Sequence, residues 1–346
     1  MEKVKLEDIL EYEQPTKYIV ASEQYKDEYD TPVLTAGKTF ILGYTNEKDG
    51  IYNASKDNPI LLFDDFTTDC RYVDFKFKVK SSAIKILKLK NKNNNIKYLN
   101  YLLNSIVYDT TSHKRYWISQ FSKFEINLPN VEAQNKIVNE LEKIEKLILN
   151  KEKQIKKLNE LEKSKFNEMF ENKNYARMYG KDLFIFSSGK GLEQDKRTKE
   201  GIPVYGGNGI AWYTDKALID YDTIVIGRVG AYCGNVKIIE EPVWITDNAI
   251  YIKKFKKDVY DIKFLYNMMN NIDFSRYAQR SGQPKITQDP LKNYLYIVPP
   301  KKEQILFSEI VRIIENQRNN CNKTIKKLTE IKKSKIQDYF GGDIND

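Results

Sequence analysis

Histidine is almost absent from this 346-residue chain, where His113 is the single one. That excludes multi-histidine metal centres and leaves a Ser/His triad without support. Cysteine is nearly as scarce. Cys70, Cys233 and Cys321 lie far apart with no CxxC spacing, an odd and sparse set that reads as reduced thiols in a cytosolic protein. No apolar run approaches the roughly 18–20 residues of a membrane span, and the N-terminal MEKVKLEDILEYEQ has no signal-peptide core. The expectation is a cytoplasmic protein with no membrane partner. Nucleotide and catalytic motifs are missing too. There is no GxGxxG, and Gly37-Lys38-Thr39 imitates the end of a phosphate-binding loop but has Pro32 where an earlier glycine is required. Asn58-Pro59-Ile60 is not the Asn-Pro-Pro-aromatic motif with which amino-methyltransferases grip a flipped base. Glu-x-Lys pairs such as Glu171/Lys173 and Glu330/Lys332 lack a Pro-Asp partner, so a nuclease core is unsupported. These absences describe a binding component, with no catalytic residue, metal or cofactor of its own.

What the chain does contain is a repeat. Residues 128–170 align with 298–340 at a constant offset and without a gap, with 15 identities in 43 positions. Ile155-Lys156-Lys157-Leu158 matches Ile325-Lys326-Lys327-Leu328, and Lys163-Ser164-Lys165 matches Lys333-Ser334-Lys335. The spacing is too long for a solenoid unit and implies duplication of a whole domain with its helix. The chain then divides into globular segment 1–127, helix 128–172, globular segment 173–297, and helix with tail 298–346.

Apolar residues in the first copy fall at Ile137, Leu141, Ile144, Ile148, Ile155 and Leu158, a heptad seam broken at Lys151. The second copy supplies Phe307, Val311, Ile314, Cys321, Ile325 and Leu328, broken at Arg318. Beyond these the seam drifts to Leu161, Phe166 and Phe170, and to Ile331, Ile336 and Phe340. Pro129 and Pro299-Pro300 mark the starts, and Gly341-Gly342 the second stop. Each helix is about 60 Å long at 1.5 Å per residue. Packed antiparallel, the two bury both seams and form a coiled coil with a pseudo-two-fold axis. The plainer alternative lays each helix on its own domain.

The globular segments read as mixed α/β with many short strands. Residues 72–80 alternate apolar and charged as a half-exposed strand, whereas Thr223–Ile226 and Ala249–Ile252 read as buried strands. Residues 97–107 and 262–272 are matching short helices. Basic residues exceed acidic ones by 57 to 48, and the second globular segment, with 19 against 14, holds five of the nine arginines. Its glycine-rich loops carry the local signals: Tyr205 and Asn208 in PVYGGNGI, Arg228 in IGRVGA, and Arg276, Arg280, Gln283 and Lys285 in RYAQRSGQPK. Close backbone approach with Arg, Gln, Asn and Tyr suits phosphate positioning and base-edge reading. The plainer reading is that the glycines permit turns and the charges face water. In the first segment Lys38, Lys76 and Lys78, with His113, Lys114, Arg115 and Tyr116 just before the first long helix, are the corresponding DNA-binding candidates. Lys76, Lys78 and Lys80 share one strand face, followed by Lys85, Lys88, Lys90, Lys92 and Lys97, and a solvated lysine face is the plainer reading of this cluster.

The order domain–helix–domain–helix, with helix starts Pro129/Gln134/Ile137 and Pro299/Gln304/Phe307, resembles the DNA-specificity subunit of Type I restriction-modification systems. PVYGGNGI, IGRVGAYCGNV and SGQPKIT look like that family's target-recognition domains, and NPILLFDDFTTDCRYVDFKFKVKSSAIKIL looks like another recurring version. Gly227-Arg228 falls where the first segment has Asp64-Asp65, so the two domains are expected to make different contacts there. The resemblance implies two target-recognition domains on a helix pair, reading a bipartite, asymmetric target in double-stranded DNA. It implies two methyltransferase subunits that bind S-adenosylmethionine, and two restriction (translocase-nuclease) subunits using ATP and Mg. A Type IIB-like specificity subunit has nearly the same sequence pattern. A coiled-coil adaptor that binds only proteins explains the helices but not the duplicated basic, glycine-rich loops.

Overall fold

The computed structural model describes residues 2–35, 39–108, 115–171, 173–279, 282–341 and 344–345. The chain divides into two compact units, Met1–Glu152 with Asn322–Asp346, and Lys153–Cys321. The helices therefore do not form segments of their own. Val131–Phe170 and Lys301–Phe340 are each one 40-residue helix, and each gives one part to either unit.

In the first unit the strands are β1 (Glu2–Lys5), β2 (Leu10–Glu13), β3 (Thr31–Leu34), β4 (Ile41–Thr45), β5 (Ile60–Asp64), β6 (Cys70–Val73), β7 (Lys78–Val79), β8 (Ile84–Leu89) and β9 (Glu125–Leu128). They form sheets ordered β2-β8-β5-β6 and β4-β3-β7, and β9 pairs with β1 on one edge and with Ile344–Asn345 on the other. The second unit repeats this plan with β10 (Ala176–Tyr179), β11 (Phe184–Ser188), β12 (Ile202–Gly206), β13 (Gly209–Thr214), β14 (Thr223–Gly227), β15 (Val236–Ile239), β16 (Trp244–Ile245), β17 (Ala249–Phe255) and β18 (Leu295–Val298). Its sheets run β11-β17-β14-β15, β13-β12-β16 and β10-β18.

In each unit the four-stranded sheet is the middle layer. On β5, Leu61 and Phe63 face the helices while Ile60 and Leu62 face the smaller sheet. On β14, Ile224 and Ile226 face the helices and Val225 the smaller sheet. Strands covered on both sides lose the apolar–polar alternation of a half-exposed sheet, and this is why β5 and β14 read as continuous apolar runs.

Residues 72–80 do not form one strand. The chain leaves β6 at Val73, bends, and enters the other sheet as β7, parallel to β3. Phe75 and Lys76 are exposed in the bend, whereas Phe77, Lys78 and Val79 are buried. The short helices are Ile96–Ser105 and Ile262–Asn270, capped by the side chains of Asn95 and Asp261.

Within each unit the portions of the two long helices run antiparallel. In the first, Glu145 pairs with Lys332 at 2.7 Å and Glu140 with Lys335 at 3.3 Å. In the second, Glu162 meets Arg318 at 3.2 Å, and Phe166 and Phe170 both pack on Phe307. Leu141, Leu158, Phe307, Val311, Ile314 and Cys321 are buried, and Ile137, Ile144, Ile148, Ile155, Ile325 and Leu328 are half-buried. The drift is different from the expectation. Leu161 and Ile331 are 43% and 48% exposed, because Glu162 and Lys332 take the inward positions to reach Arg318 and Glu145.

Glu13 on β2 is a local electrostatic anchor. Lys88 lies 2.5 Å and Lys17 2.9 Å away, and the Tyr18 hydroxyl donates to it at 2.8 Å. Burial acts to raise its pKa, but the hydrogen bonds from Lys88, Lys17 and Tyr18 prevail and lower it to about 2. A depressed carboxylate contributes stability above its unfolded pKa and loses it as pH falls through the folded one. Glu13→Gln should therefore destabilise the chain at neutral pH, with the deficit shrinking between pH 4.5 and about 2. Thermal unfolding of both proteins across that range checks this.

Candidate nucleic-acid interface

In the second unit four loops meet beyond the ends of β12, β14 and β17. The β12–β13 hairpin turns through Gly207 and Asn208. A Cβ on Gly207 would lie 3.0 Å from the Asn248 carbonyl and 3.4 Å from that of Val229. A Cβ on Gly227 would sit 2.5 Å from the carbonyl oxygens of both Gly207 and Tyr232. At position 227 only glycine permits this approach, and at 207 a side chain would push the Asn248 carbonyl aside by a few tenths of an ångström.

Backbone hydrogen bonds then tie the loops together. The Arg228 N–H donates to Asn248 O at 2.9 Å, the Ile286 N–H to Arg228 O at 2.9 Å, and the Gly230 N–H to Pro284 O at 2.9 Å. Gln279 and Lys285 pair with each other through both backbone bonds, at 2.9 and 3.2 Å. The weave gathers Asn208, Arg228, Gln283 and Lys285. Asn208, Gln283 and Lys285 are exposed, and half-exposed Arg228 donates one guanidinium N–H to Asp247 O at 3.2 Å. Arg276 is exposed at the side of the same loop, 5.6 Å from the ring of Tyr277.

Tyr205 plays a different part from the one expected. Its ring packs against the core of Ile219, Val243 and Ile245, where burial raises the phenol pKa. It supports the hairpin. Two aromatics that lie within the strings IGRVGAYCGNV and RYAQRSGQPK but are not among the expected contacts stand at this end: Tyr232, 48% exposed, and Tyr277, 40% exposed. The available signal for Tyr232 was its place between Gly230 and Gly234, whose φ angles of 81° and 90° hold a rigid turn.

The first unit uses the same backbone pattern with opposite chemistry. The Asp65 N–H donates to Ala83 O at 2.9 Å, and the Tyr116 N–H donates to Asp65 O at 3.0 Å, as Arg228 does with Asn248 and Ile286. Asp65 is therefore the structural counterpart of Arg228. Its carboxylate accepts the Trp117 N–H at 2.8 Å and lies 3.2 Å from the buried Lys85 ammonium, which also donates to Gln14 at 2.7 Å.

Two lysines of this unit depart from expectation. Lys78 is buried between Glu47, at 2.9 Å, and the Asp49 carbonyl, at 2.7 Å, so it is a structural ion pair and not a DNA contact. Lys85 leaves the solvated face for the same reason: an ammonium taken out of water needs a nearby carboxylate. Tyr116 is buried against Tyr108 and presents no side chain outward. Lys76 and Arg115 are exposed. Lys38, His113, Lys114 and Arg280 lie outside the described residues.

Comparison with known proteins identifies this architecture. The Type I restriction modification DNA specificity domain matches residues 1–163 and again residues 172–333. The chain belongs to this family. It is 48% identical over 153 residues to the specificity subunit of the Type I restriction enzyme EcoR124I/EcoR124II from Escherichia coli, covering 41% of this chain and 38% of that one. It is 27% identical over 132 residues to the EcoprrI specificity subunit from the same organism, covering 38% and 31%. The matches thus span about a third of the relatives' length. The crystal structure of a Type I restriction-modification S subunit from M. genitalium shares the fold at a TM-score of 0.65 and 18% identity, covering 97% of this chain and 95% of that one. A structure described under complex assembly and conformational transition of the type I R-M system gives 0.60 and 14%, covering 98% and 97%. No helix among the described residues of this specificity-family chain is long and apolar enough to cross a membrane.

The buried Asp65–Lys85 pair gives a direct test of the first unit. Lys85→Met leaves a buried carboxylate without its cation and should cost about 3–5 kcal/mol. Adding Asp65→Asn keeps an acceptor for Trp117, removes the charge, and should recover part of that loss. Urea unfolding of the single and double variants measures it.

Proposed function

We propose that this chain reads a two-part, asymmetric sequence in double-stranded DNA and brings methyltransferase and restriction subunits, two of each, to that sequence. The observation that carries the reading is one scaffold used twice with different side chains at the equivalent place, Asp65 in one unit and Arg228 in the other. Two different readers on one chain fit an asymmetric target in two parts. The chain has no catalytic part in this reading. S-adenosylmethionine, ATP and Mg belong to the partner subunits, and the complex works in the cytoplasm. A coiled-coil adaptor that binds only proteins gives no reason for the converging Asn208, Arg228, Gln283 and Lys285.

In the second unit Lys285 and Arg276 suit phosphate contacts, while Gln283, Asn208 and Arg228 have the bidentate geometry that reads base edges. Lys285→Ala should weaken binding to every sequence and flatten the salt dependence by about one unit. Arg228→Ala should relax one target position by roughly 1–3 kcal/mol. Unchanged affinity and unchanged methylation in both variants would place the DNA face elsewhere.

The helix pair acts as the ruler between half-sites. Domains docked on one face of the duplex read half-sites about 10 base pairs apart, centre to centre. Replacing residues 178–296 should change one half-site only. Four residues inserted near Asn150 lengthen the first helix by about 6 Å, so the unread gap should grow by one or two base pairs, each about 3.4 Å. Methylome sequencing of cells carrying the whole system reads both outcomes. A continuous wild-type motif, or an unchanged gap after the insertion with both half-sites retained, counts against the ruler.

A further inference from the structure

Each long helix has a glutamine in its first turns that is fully buried: Gln134 and Gln304 are both 0% exposed. The amide of Gln134 donates to Pro129 O at 2.8 Å and to Asn94 Oδ1 at 2.9 Å, and its carbonyl accepts the Asn95 N–H at 2.8 Å. The amide of Gln304 donates to Pro299 O at 2.8 Å and to Val259 O at 2.8 Å, and its carbonyl accepts the Asp261 N–H at 2.9 Å. Asn95 and Asp261 are the N-caps of the two short helices. In the second unit Asp261 is held further by the Ser308 hydroxyl, at 2.5 Å. In each unit, one side chain therefore joins three segments: the end of β9 or β18, the start of the long helix, and the N-terminus of the short helix.

The directional character of these bonds matters. The apolar contacts of each long helix with its domain, Leu141 among them in the first unit and Phe307 in the second, come from a non-directional force. Such a face accommodates small rotations and slides at little cost. Three hydrogen bonds of fixed direction to a fully buried amide do not, since a misalignment leaves that amide without a partner. The duplication of the arrangement, with Asn94 replaced by the Val259 carbonyl as one acceptor, indicates that the geometry and not the particular neighbour is retained.

We propose that Gln134 and Gln304 are positioning residues for target spacing: each locks the angle at which a recognition domain sits on its long helix, and so makes the accepted gap sharp. The inference rests on the ruler reading. The domains can hold the duplex at one separation only if the joints at which they meet the helices do not swivel.

The test uses the full chain in complex with its methyltransferase subunits, on DNA with both half-sites fixed and the gap varied by single base pairs. Gln134→Met and Gln304→Met keep the side-chain volume and remove all three bonds. The expected result is a roughly tenfold loss of discrimination between the wild-type gap and gaps one base pair longer or shorter, the scale set by one or two lost hydrogen bonds, with half-site sequences unchanged. Should either methionine variant fail to fold, Asn94→Ala removes a single acceptor of Gln134 and is expected to give a smaller loss of the same kind. A uniform fall in methylation over all gaps, with the wild-type discrimination kept, overturns the inference and leaves the ruler standing. A wild-type complex indifferent to the gap overturns the ruler and this inference together.

Discussion

Both units depend on a phenylalanine delivered by the helix that begins in the other unit. Phe340 ends the second long helix and packs on Tyr98 of the first unit, ring centroids 5.3 Å apart. Phe170, its repeat counterpart, ends the first long helix and packs on Phe264 of the second unit at 4.8 Å. Tyr98 and Phe264 hold the same place on the two short helices, three residues beyond Asn95 and Asp261. Full burial of such a side chain is worth about 1.5–3 kcal/mol, but its position in the chain matters as much as its energy. The first core is completed by residues from opposite ends of the sequence, so part of the helix pair must form before that core closes. The loop-closure cost this entails grows only slowly with length, which allows a long second segment to intervene. The repeat is thus a structural requirement of the cores as well as a trace of duplication.

Upon those cores the two units separate scaffold from readout. Asp65 and Arg228 occupy equivalent backbone positions, each donating to the residue just before the neighbouring strand of its sheet, β8 or β17, and each accepting from the segment that leads to the long helix. The backbone bonds are indifferent to the side chain. One site accordingly accommodates a carboxylate locked against Lys85 and the other a half-exposed guanidinium. In the second unit close packing depends on Gly227, where a Cβ would strike two carbonyl oxygens, and is eased by Gly207. Loops fixed by their main chain leave Asn208, Gln283 and Lys285 free to vary without loss of the fold.

Much of this was legible in the sequence. The gapless repeat gave the two long helices, and the heptad steps from Ile137 to Leu158 and from Phe307 to Leu328 picked side chains that are all at least half-buried. Glycines flanking Arg228 marked the loop that meets Gln283 and Lys285. What escaped was anything decided by a partner distant in sequence. Residues 72–80 alternate like a strand, but Phe77 and Val79 are drawn into a second sheet by Val33 and Leu34. Lys78 and Lys85 look like solvated charges until Glu47 and Asp65 are brought beside them. Tyr116 and Trp117 lie in a basic stretch yet are buried, because their backbone N–H groups dock on Asp65. The buried glutamines could be seen as a repeated letter, but the three bonds each makes could not.

The helix repeats raise a problem of their own, since two similar apolar seams also fit copies of themselves. Charges at the edges of the seam discriminate. The native pairing places Glu145 by Lys332 and Glu162 by Arg318. Position 162 of the first repeat corresponds to 332 of the second, so two first helices paired in the same register would set Glu145 against Glu162. Two second helices would set Arg318 against Lys332. Each self-pairing thus turns one opposite-charge contact into a like-charge one, while Glu140 would still face Lys165 in a pair of first helices and Glu315 would still face Lys332 in a pair of second helices. A partly exposed ion pair contributes little alone, about 0–1 kcal/mol. The preference between partners is the difference between attraction and repulsion, and it is larger than either term. Arg318 and Lys332 supply the charges that distinguish the second helix from the first at these places, where the first has Ile148 and Glu162. Burial raises the pKa of Glu162, and Arg318 opposes part of that shift. Divergence at a few seam-edge positions therefore biases each helix toward its counterpart.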